Sequence, residues 1–163
     1  MVADGPEIET IRQLFLEYAD SLGFSLCFQS FESELAALPG DYASPDGRLY
    51  LAKIDGIPVG CVAVHKIEPG VCEIKRLYVR PAYRGLSLGR KLAVTAISAA
   101  REIGYDRMRL DTLKSMVEAH GLYRSLGFRD IPPYRLNPLP EAVYMELTLD
   151  ESETTSNGNH RSP

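Results

Sequence analysis

The chain has 163 residues, of which 45% are hydrophobic and 25% charged, and its formal net charge at pH 7 is −4. This length and composition predict a single soluble domain, since no apolar run approaches the roughly 20 residues of a membrane-spanning helix. The negative charge argues against general nucleic-acid binding. The N-terminus lacks the basic start and apolar core of a signal peptide, which predicts a cytoplasmic protein. The three cysteines and three histidines are scattered, so we expect neither a disulfide nor a metal site.

Two helices are predicted at the start of the chain. Apolar residues step by three and four between Ile8 and Leu22, which is the spacing of an amphipathic helix. A shorter helix is expected around residues 31–38, stopped by Pro39-Gly40, and residues 42–47 are expected to form a loop.

A β-hairpin and a third strand are predicted next. Residues 49–54 and 59–67 are rich in β-forming residues and are joined through Asp55-Gly56, a strong hairpin signal. They should pair in antiparallel fashion. A third run, residues 71–79, follows a turn.

The third strand changes phase in its middle. Its apolar residues occupy even positions up to Ile74 and odd positions from Leu77. Because side chains alternate between the two faces of a sheet, this change predicts a β-bulge near Lys75-Arg76. A bulge leaves backbone groups available to an extended ligand.

The second half of the chain alternates between helices and strands. A helix over residues 87–103 ends at Gly104, and residues 107–112 form a strand that should run parallel to the third strand. Ser115 to Glu118 reads as a capping box, which predicts a helix that ends at Gly127.

The C-terminal part is less regular. Residues 129–140 hold four prolines and are expected to form a loop or edge segment, and residues 143–149 alternate as a final strand. Residues 150–163 are polar and are predicted to be a disordered tail. The predicted fold is α/β (mixed α+β): a central mixed, mostly antiparallel sheet with a bulged strand and helices on both faces.

A basic, glycine-bearing turn joins the third strand to the following helix. It reads Arg84-Gly85-Leu86-Ser87-Leu88-Gly89-Arg90, and its end lies at a helix N-terminus, where unpaired N–H groups attract phosphate oxygens. The glycine spacing excludes both a Walker A loop and a dinucleotide-binding fingerprint.

This turn resembles the acetyl-CoA-binding signature of the GNAT acetyltransferases, Arg/Gln-x-x-Gly-x-Gly/Ala. Ser87 stands where the signature has its first glycine, a substitution suited to a negative φ. A second stretch, Ala119 to Phe128, matches the other signature of that family, Ala-x-x-Leu-Tyr-x-x-Leu-Gly-Phe. Two independent motifs at the expected separation support the resemblance from about Leu49 to Leu149.

The resemblance implies a GNAT domain over residues 1–149, with a first strand that is short or absent, and acetyl-CoA as co-substrate without a metal. The turn amides would hold the CoA diphosphate, and the bulged strand would grip the pantetheine arm and stabilise the oxyanion. The cofactor-binding residues so implied are Leu77, Tyr78, Val79, Arg84, Gly85, Leu86, Ser87, Leu88, Gly89 and Arg90.

Two residues are the main candidates for catalysis, and His120 is a second candidate for the base, the alternative being a surface histidine on a helix. Tyr123 would be the general acid for the departing thiolate, the alternative being a core aromatic on a helical face. Glu73, just before the bulge, would be the general base, the alternative being a solvated carboxylate or one paired with Lys75.

The predicted activity is transfer of an acetyl group from acetyl-CoA to a primary amine of a small molecule or amino acid by direct attack. The alternative is a catalytically degenerate acyl-CoA-binding sensor or partner module. A short first strand would leave a sheet edge that a second copy could cover, so a homodimer is possible.

Overall fold

A computed structural model describes residues 5–22, 31–114, 116–134 and 141–149. Its helices are α1 (Pro6–Leu22), α2 (Phe31–Ala37), α3 (Leu88–Ile103) and α4 (Val117–Ser125), and its strands are β1 (Arg48–Ile54), β2 (Ile57–Glu68), β3 (Val71–Val79), β4 (Arg107–Leu113), β5 (Arg129–Ile131) and β6 (Ala142–Thr148). Short 3₁₀ turns occupy Gly40–Tyr42 and Pro81–Tyr83. The predicted tail, residues 150–163, and any strand before Gly5 lie outside the described residues.

The six strands form one sheet in the order β1-β2-β3-β4-β6-β5, in which only β3 and β4 run parallel. Helices α1 and α2 bury their apolar residues on one face, together with Tyr42 and Leu49. Helix α3 packs on the other face, where Tyr123 and Phe128 join its core from α4 and the turn after it. The predicted fold class, a mostly antiparallel sheet with helices on both faces, is confirmed.

The hairpin between β1 and β2 closes at the predicted dipeptide. Asp55 and Gly56 have φ values of +52° and +78°, and Ile54 pairs directly with Ile57. Two successive residues with positive φ give the turn a twist that matches antiparallel strands. The hairpin prediction is confirmed.

The bulge in β3 lies where the hydrophobic pattern placed it. Lys75 pairs with Ala63 and Tyr78 with Cys61, so Val62 faces two residues of β3, Arg76 and Leu77. Arg76 has a φ of +58°. The extra residue brings the even-numbered side chains before the bulge and the odd-numbered ones after it into the same core under α3. This explains the change of phase in the sequence.

The parallel pairing of β3 and β4 stops early. The paired positions run from Val71 with Arg107 to Glu73 with Arg109. Both strands continue beyond, β3 to Val79 and β4 to Leu113. They therefore separate after Glu73 and leave a wedge between residues 74–79 and 110–113. We call the Glu73 end of this wedge its apex.

Two ion pairs attach the first helical layer to β3. Arg80 binds Glu17 of α1 through two hydrogen bonds of 3.0 and 2.7 Å. Arg76, which is 4% exposed, binds Glu34 of α2 through two hydrogen bonds of 2.9 and 2.8 Å, and its guanidinium lies over the Phe31 ring. These contacts hold both helices against the bulge and the strand end that follows it.

The capping-box prediction for α4 is wrong. The N-cap is Met116, which makes no side-chain capping hydrogen bond, so the helix begins one residue later than the motif requires. Glu118 is then the second helical residue, whereas a capping box needs its acidic residue at the third. Ser115 lies outside the described residues.

Across the described ranges, no helix is long and apolar enough to cross a membrane.

Candidate active site

A cavity of about 460 Å³ lies where the end of β3, the glycine turn and the starts of α3 and α4 meet. It contains nine of the ten sequence-predicted cofactor residues. The exception is Leu86, whose side chain points outward and is 55% exposed. The structure thus brings the strand residues Leu77, Tyr78 and Val79 together with the turn.

Other residues that line the cavity come from α1 and from the α4 region: Tyr18, Ser21, Met116, Glu118, Ala119 and Leu122. Ala119 and Leu122 belong to the second sequence motif, which therefore carried a signal for them. No local pattern pointed to Tyr18 or Ser21, because their position depends on how α1 packs across β3.

The glycine turn presents backbone N–H groups to the cavity. Gly85 and Ser87 have φ values of +89° and +61°, and Ser87 is the N-cap of α3 without a side-chain capping bond. In the part of the chain that the structure describes, the amides of residues 85–90 donate no hydrogen bond. Since the helix dipole also favours negative charge there, this turn is suited to bind a phosphate group.

Ser87 adopts the backbone conformation that is the less favourable of the two for a serine. A negative φ would have suited a serine, but the turn requires a left-handed residue at this position. An L-residue in that conformation is strained by roughly 1–2 kcal/mol. The turn therefore has the left-handed conformation that favours glycine, although a serine occupies the position.

Arginines border the cavity. Arg84 donates from Nε to the Val79 carbonyl at 3.0 Å, and its guanidinium lies 5.9 Å from the centre of the Tyr78 ring. Arg90 donates to Ser125 Oγ at 2.8 Å and thereby links α3 to α4. Arg84 is thus anchored at the junction of strand and turn, with its charge beside the turn amides.

The edge of β3 that faces away from β2 lies along the wedge, where β4 has separated from it. Leu77, Tyr78 and Val79 line the cavity on this edge. An extended ligand that enters from the turn can therefore lie alongside β3 as an additional strand would.

Tyr123 lies in the core rather than on the cavity surface. It is 8% exposed and packs edge-on against Phe128, with the ring centroids 5.5 Å apart. Burial raises the pKa of its phenol above the ordinary value of 10. The hydroxyl therefore keeps its proton at neutral pH, as a general acid must, although the higher pKa makes transfer less favourable. Its role as general acid stays a prediction.

Glu73 lies at the apex of the wedge and is fully buried. Its Oε1 is 2.7 Å from His65 Nε2 and 3.9 Å from Lys75 Nζ, and its Oε2 accepts a hydrogen bond of 2.5 Å from the Tyr134 hydroxyl. We call His65, Glu73, Lys75 and Tyr134 the Glu73 cluster. The carboxylate is not solvated, and the predicted neighbour Lys75 is one of several partners.

Aromatic residues support the Glu73 cluster. The His65 ring packs edge-on against Tyr42 at 5.7 Å, and Tyr134 packs against Tyr144 at 5.2 Å and beneath the Arg109 guanidinium at 5.3 Å. Sequence reasoning missed His65 as a member of the site. The hairpin register could have revealed His65, because it is the direct partner of Glu73 across β2 and β3.

The comparisons with known proteins agree with this geometry. The sequence model of the acetyltransferase (GNAT) family matches residues 9–128. An uncharacterized N-acetyltransferase of Schizosaccharomyces pombe is 42% identical over 147 residues, which covers 89% of this chain and 90% of the relative.

Solved structures show the same fold. A GNAT-family acetyltransferase of Staphylococcus aureus superposes with a TM-score of 0.77 at 20% sequence identity. The superposition covers 92% of this chain and 98% of the Staphylococcus chain. A putative streptothricin acetyltransferase of Bacillus anthracis, solved in complex with acetyl coenzyme A, has a TM-score of 0.58 at 25% identity, with 67% and 66% of the two chains covered. The chain belongs to the GNAT acetyltransferase family and is an acetyl-CoA-dependent acyltransferase.

Proposed function

We propose that this protein transfers the acetyl group of acetyl-CoA to a primary amine of a small molecule or amino acid by direct attack. The observation that carries the proposal is the continuity of one cavity from the unpaired turn amides to the open edge of β3. A diphosphate and an extended arm need these two surfaces, in this order. The names of the fission-yeast and Bacillus relatives support the same chemistry.

Each part of the site has a role in this proposal. The amides of residues 85–90 and the Arg84 guanidinium bind the diphosphate, and Leu77–Val79 hold the pantetheine arm by backbone hydrogen bonds. The amine nitrogen attacks the thioester carbonyl, whose developing oxyanion is stabilised by β3 N–H groups. The C–S bond then breaks, and Tyr123 supplies the proton for the thiolate while the Glu73 cluster removes one from the amine.

A thermal-shift measurement tests cofactor binding. CoA and acetyl-CoA should raise the melting temperature of the wild-type protein, because a ligand that binds only the folded state stabilises it. Arg84→Glu should abolish the rise, since it places a negative charge beside the diphosphate. Arg129→Glu makes the same charge change at an exposed position of β5 outside the cavity and should leave the rise unchanged. Absence of any shift in the wild-type protein would refute the proposal.

A second candidate function is an acyl-CoA-binding module without chemistry. It is favoured by the burial of Tyr123 away from the cavity surface. A panel of amines and amino acids, analysed by mass spectrometry for acetylated products, separates the two. Turnover that Tyr123→Phe strongly reduces would eliminate the module, whereas CoA binding without turnover of any acceptor would support it.

A further inference from the structure

We propose that His65 is the group that takes the proton from the acceptor amine, and that Glu73 is a positioning residue that acts through it. This inference rests on the proposed acetyltransferase function, whose base it identifies. It replaces deprotonation by Glu73 itself, the role that the family resemblance implied for this strand position, with a hydrogen-bonded pair.

The partners of Glu73 shield it from direct contact with an acceptor. The side chain has no exposed surface. Both of its oxygens are engaged, Oε1 by His65 and Oε2 by Tyr134, and the Lys75 ammonium lies near Oε1. A general base must come within hydrogen-bond reach of the proton that it abstracts. Glu73 is within hydrogen-bond reach of His65, but an amine could reach Glu73 only after it had displaced one of the partners of the carboxylate.

His65 has the access that Glu73 lacks. Its side chain is 20% exposed, and its Nε2 is the nitrogen that meets Glu73. The other ring nitrogen, Nδ1, therefore points away from the carboxylate, and within the described residues it has no hydrogen-bond partner. A carboxylate on one nitrogen of an imidazole sets the tautomer and makes the other nitrogen a better proton acceptor.

The position of the pair along β3 places it near the reacting thioester. The pantetheine arm contains about a dozen bonds between diphosphate and sulfur, and so reaches about as far as four residues of extended chain. Val79 is the β3 residue at the turn, since its carbonyl accepts the hydrogen bond from Arg84, and four positions along β3 from Val79 is Lys75. An arm that runs from the turn along β3 thus brings its sulfur to the level of Lys75, whose ammonium lies 3.9 Å from the Oε1 atom of Glu73, the direct cross-strand partner of His65.

The proton balance of the reaction is complete with His65 as base. The acceptor arrives as an ammonium ion, and Nδ1 of His65 takes one proton so that the neutral nitrogen can attack the thioester carbonyl. The tetrahedral intermediate releases the thiolate, and the second amine proton leaves the nitrogen as the thiolate is protonated. The imidazolium, stabilised by the Glu73 carboxylate, then returns its proton to solvent.

Kinetics of His65 variants test the assignment once an acceptor is known. His65→Ala should lower kcat by at least about 100-fold while the KM for acetyl-CoA stays within about threefold, and added imidazole should restore part of the rate. Glu73→Gln should also lower kcat, without rescue by imidazole. Lys66→Gln, at the neighbouring exposed position of β2, should behave as wild type. A His65→Ala enzyme within threefold of wild type, or one that imidazole does not rescue, would overturn the proposal.

The pH profile distinguishes a base from a structural residue. The titratable groups in contact with His65 are Glu73 from β3 and Tyr42 from the 3₁₀ turn, and Glu73 is in turn contacted by Lys75 from β3 and by Tyr134 from the segment after β5. If His65 is the base, the acid limb of kcat/KM should disappear in a folded His65→Gln enzyme with residual activity. An unchanged acid limb in that enzyme would count against His65.

A spectroscopic measurement needs no acceptor. In ¹⁵N-labelled protein at neutral pH, His65 should show a protonated Nε2 and an unprotonated Nδ1, and Glu73→Gln should weaken the preference for this tautomer; His65→Gln assigns the signal. The opposite tautomer would overturn the inference even if CoA stabilises the protein. Conversely, a correct tautomer without any CoA-induced thermal shift would refute the proposed function and leave the geometry of the pair intact.

Discussion

The ion pair between Arg76 and Glu34 offers a direct test of how the bulge is held. Glu34→Gln removes the charge of the carboxylate and one of its two acceptor oxygens, while it keeps the size of the side chain. The Arg76 side chain is 2% exposed and the Glu34 side chain 16%, so water replaces little of the lost interaction. Removing one member of a buried pair typically destabilises a protein by about 3–5 kcal/mol.

Because glutamine retains one acceptor, we expect a loss of about 2–3 kcal/mol in the free energy of unfolding. For a chain of this size that corresponds to a decrease of about 4–12 °C in melting temperature. Urea denaturation followed by circular dichroism measures the free energy directly. The matched control is Glu32→Gln on the same helix, an exposed residue whose substitution should change stability by less than about 0.5 kcal/mol.

The same variant reports on the site. Arg76 holds a left-handed backbone conformation at the bulge, and its side chain is fastened to α2 by Glu34. Loosening that attachment should also reduce the stabilisation by CoA, because Leu77–Val79 follow the bulge directly. If the free energy of unfolding of Glu34→Gln is within 0.5 kcal/mol of wild type and the variant binds CoA equally well, then the ion pair does not hold the bulge in place.

Two further predictions concern pH and packing. The hydrogen-bonded Arg80 guanidinium lowers the pKa of Glu17 from its ordinary value of 4.5, so their interaction stabilises the fold above pH 4.5 and is lost as the pH falls through the lower folded value. The stability difference between wild type and Glu17→Gln in urea titrations should therefore shrink below pH 4.5; a constant difference would contradict this. A Cβ at Gly60 would lie 2.6 Å from a β3 carbonyl oxygen, whereas one at Gly121 in α4 meets no atom within 4 Å. Gly60→Ala should thus destabilise by about 1–3 kcal/mol and Gly121→Ala stabilise by about 0.5–1 kcal/mol, and the reverse order in thermal unfolding would refute the packing.

The periodic and turn-forming segments could be predicted because their signals are local. The bounds of β3 and the bulge follow from a pattern of alternating side chains, and the bulge has the expected effect of restoring one apolar face. Gly104 caps α3 in the left-handed conformation, as its position after the last apolar residue suggested. The start of α4 was misplaced by one residue because a four-residue motif cannot report whether the backbone uses it.

Contacts between segments far apart in the chain could not be predicted from the sequence. The insertion of β6 between β4 and β5, the wedge beyond Glu73 and the approach of Tyr18 to the cavity depend on how surfaces pack, and no single segment encodes them. From the sequence, Glu73 could be recognised as a carboxylate in an apolar strand, and its predicted neighbours were solvent or Lys75. Only the folded structure shows that the Glu73 carboxylate contacts His65 from the neighbouring strand and Tyr134, which is 61 positions away in the sequence.

The sequence by itself therefore determined the family, the order of elements and the glycine turn before α3, because these reside in short motifs and in repeating patterns of hydrophobicity. The tertiary structure decided which side chains of that framework share a site and which are shielded from solvent. Burial and hydrogen bonding change the chemistry of a carboxylate or a phenol. Both depend on residues that are distant in the sequence and come into contact only when the chain folds.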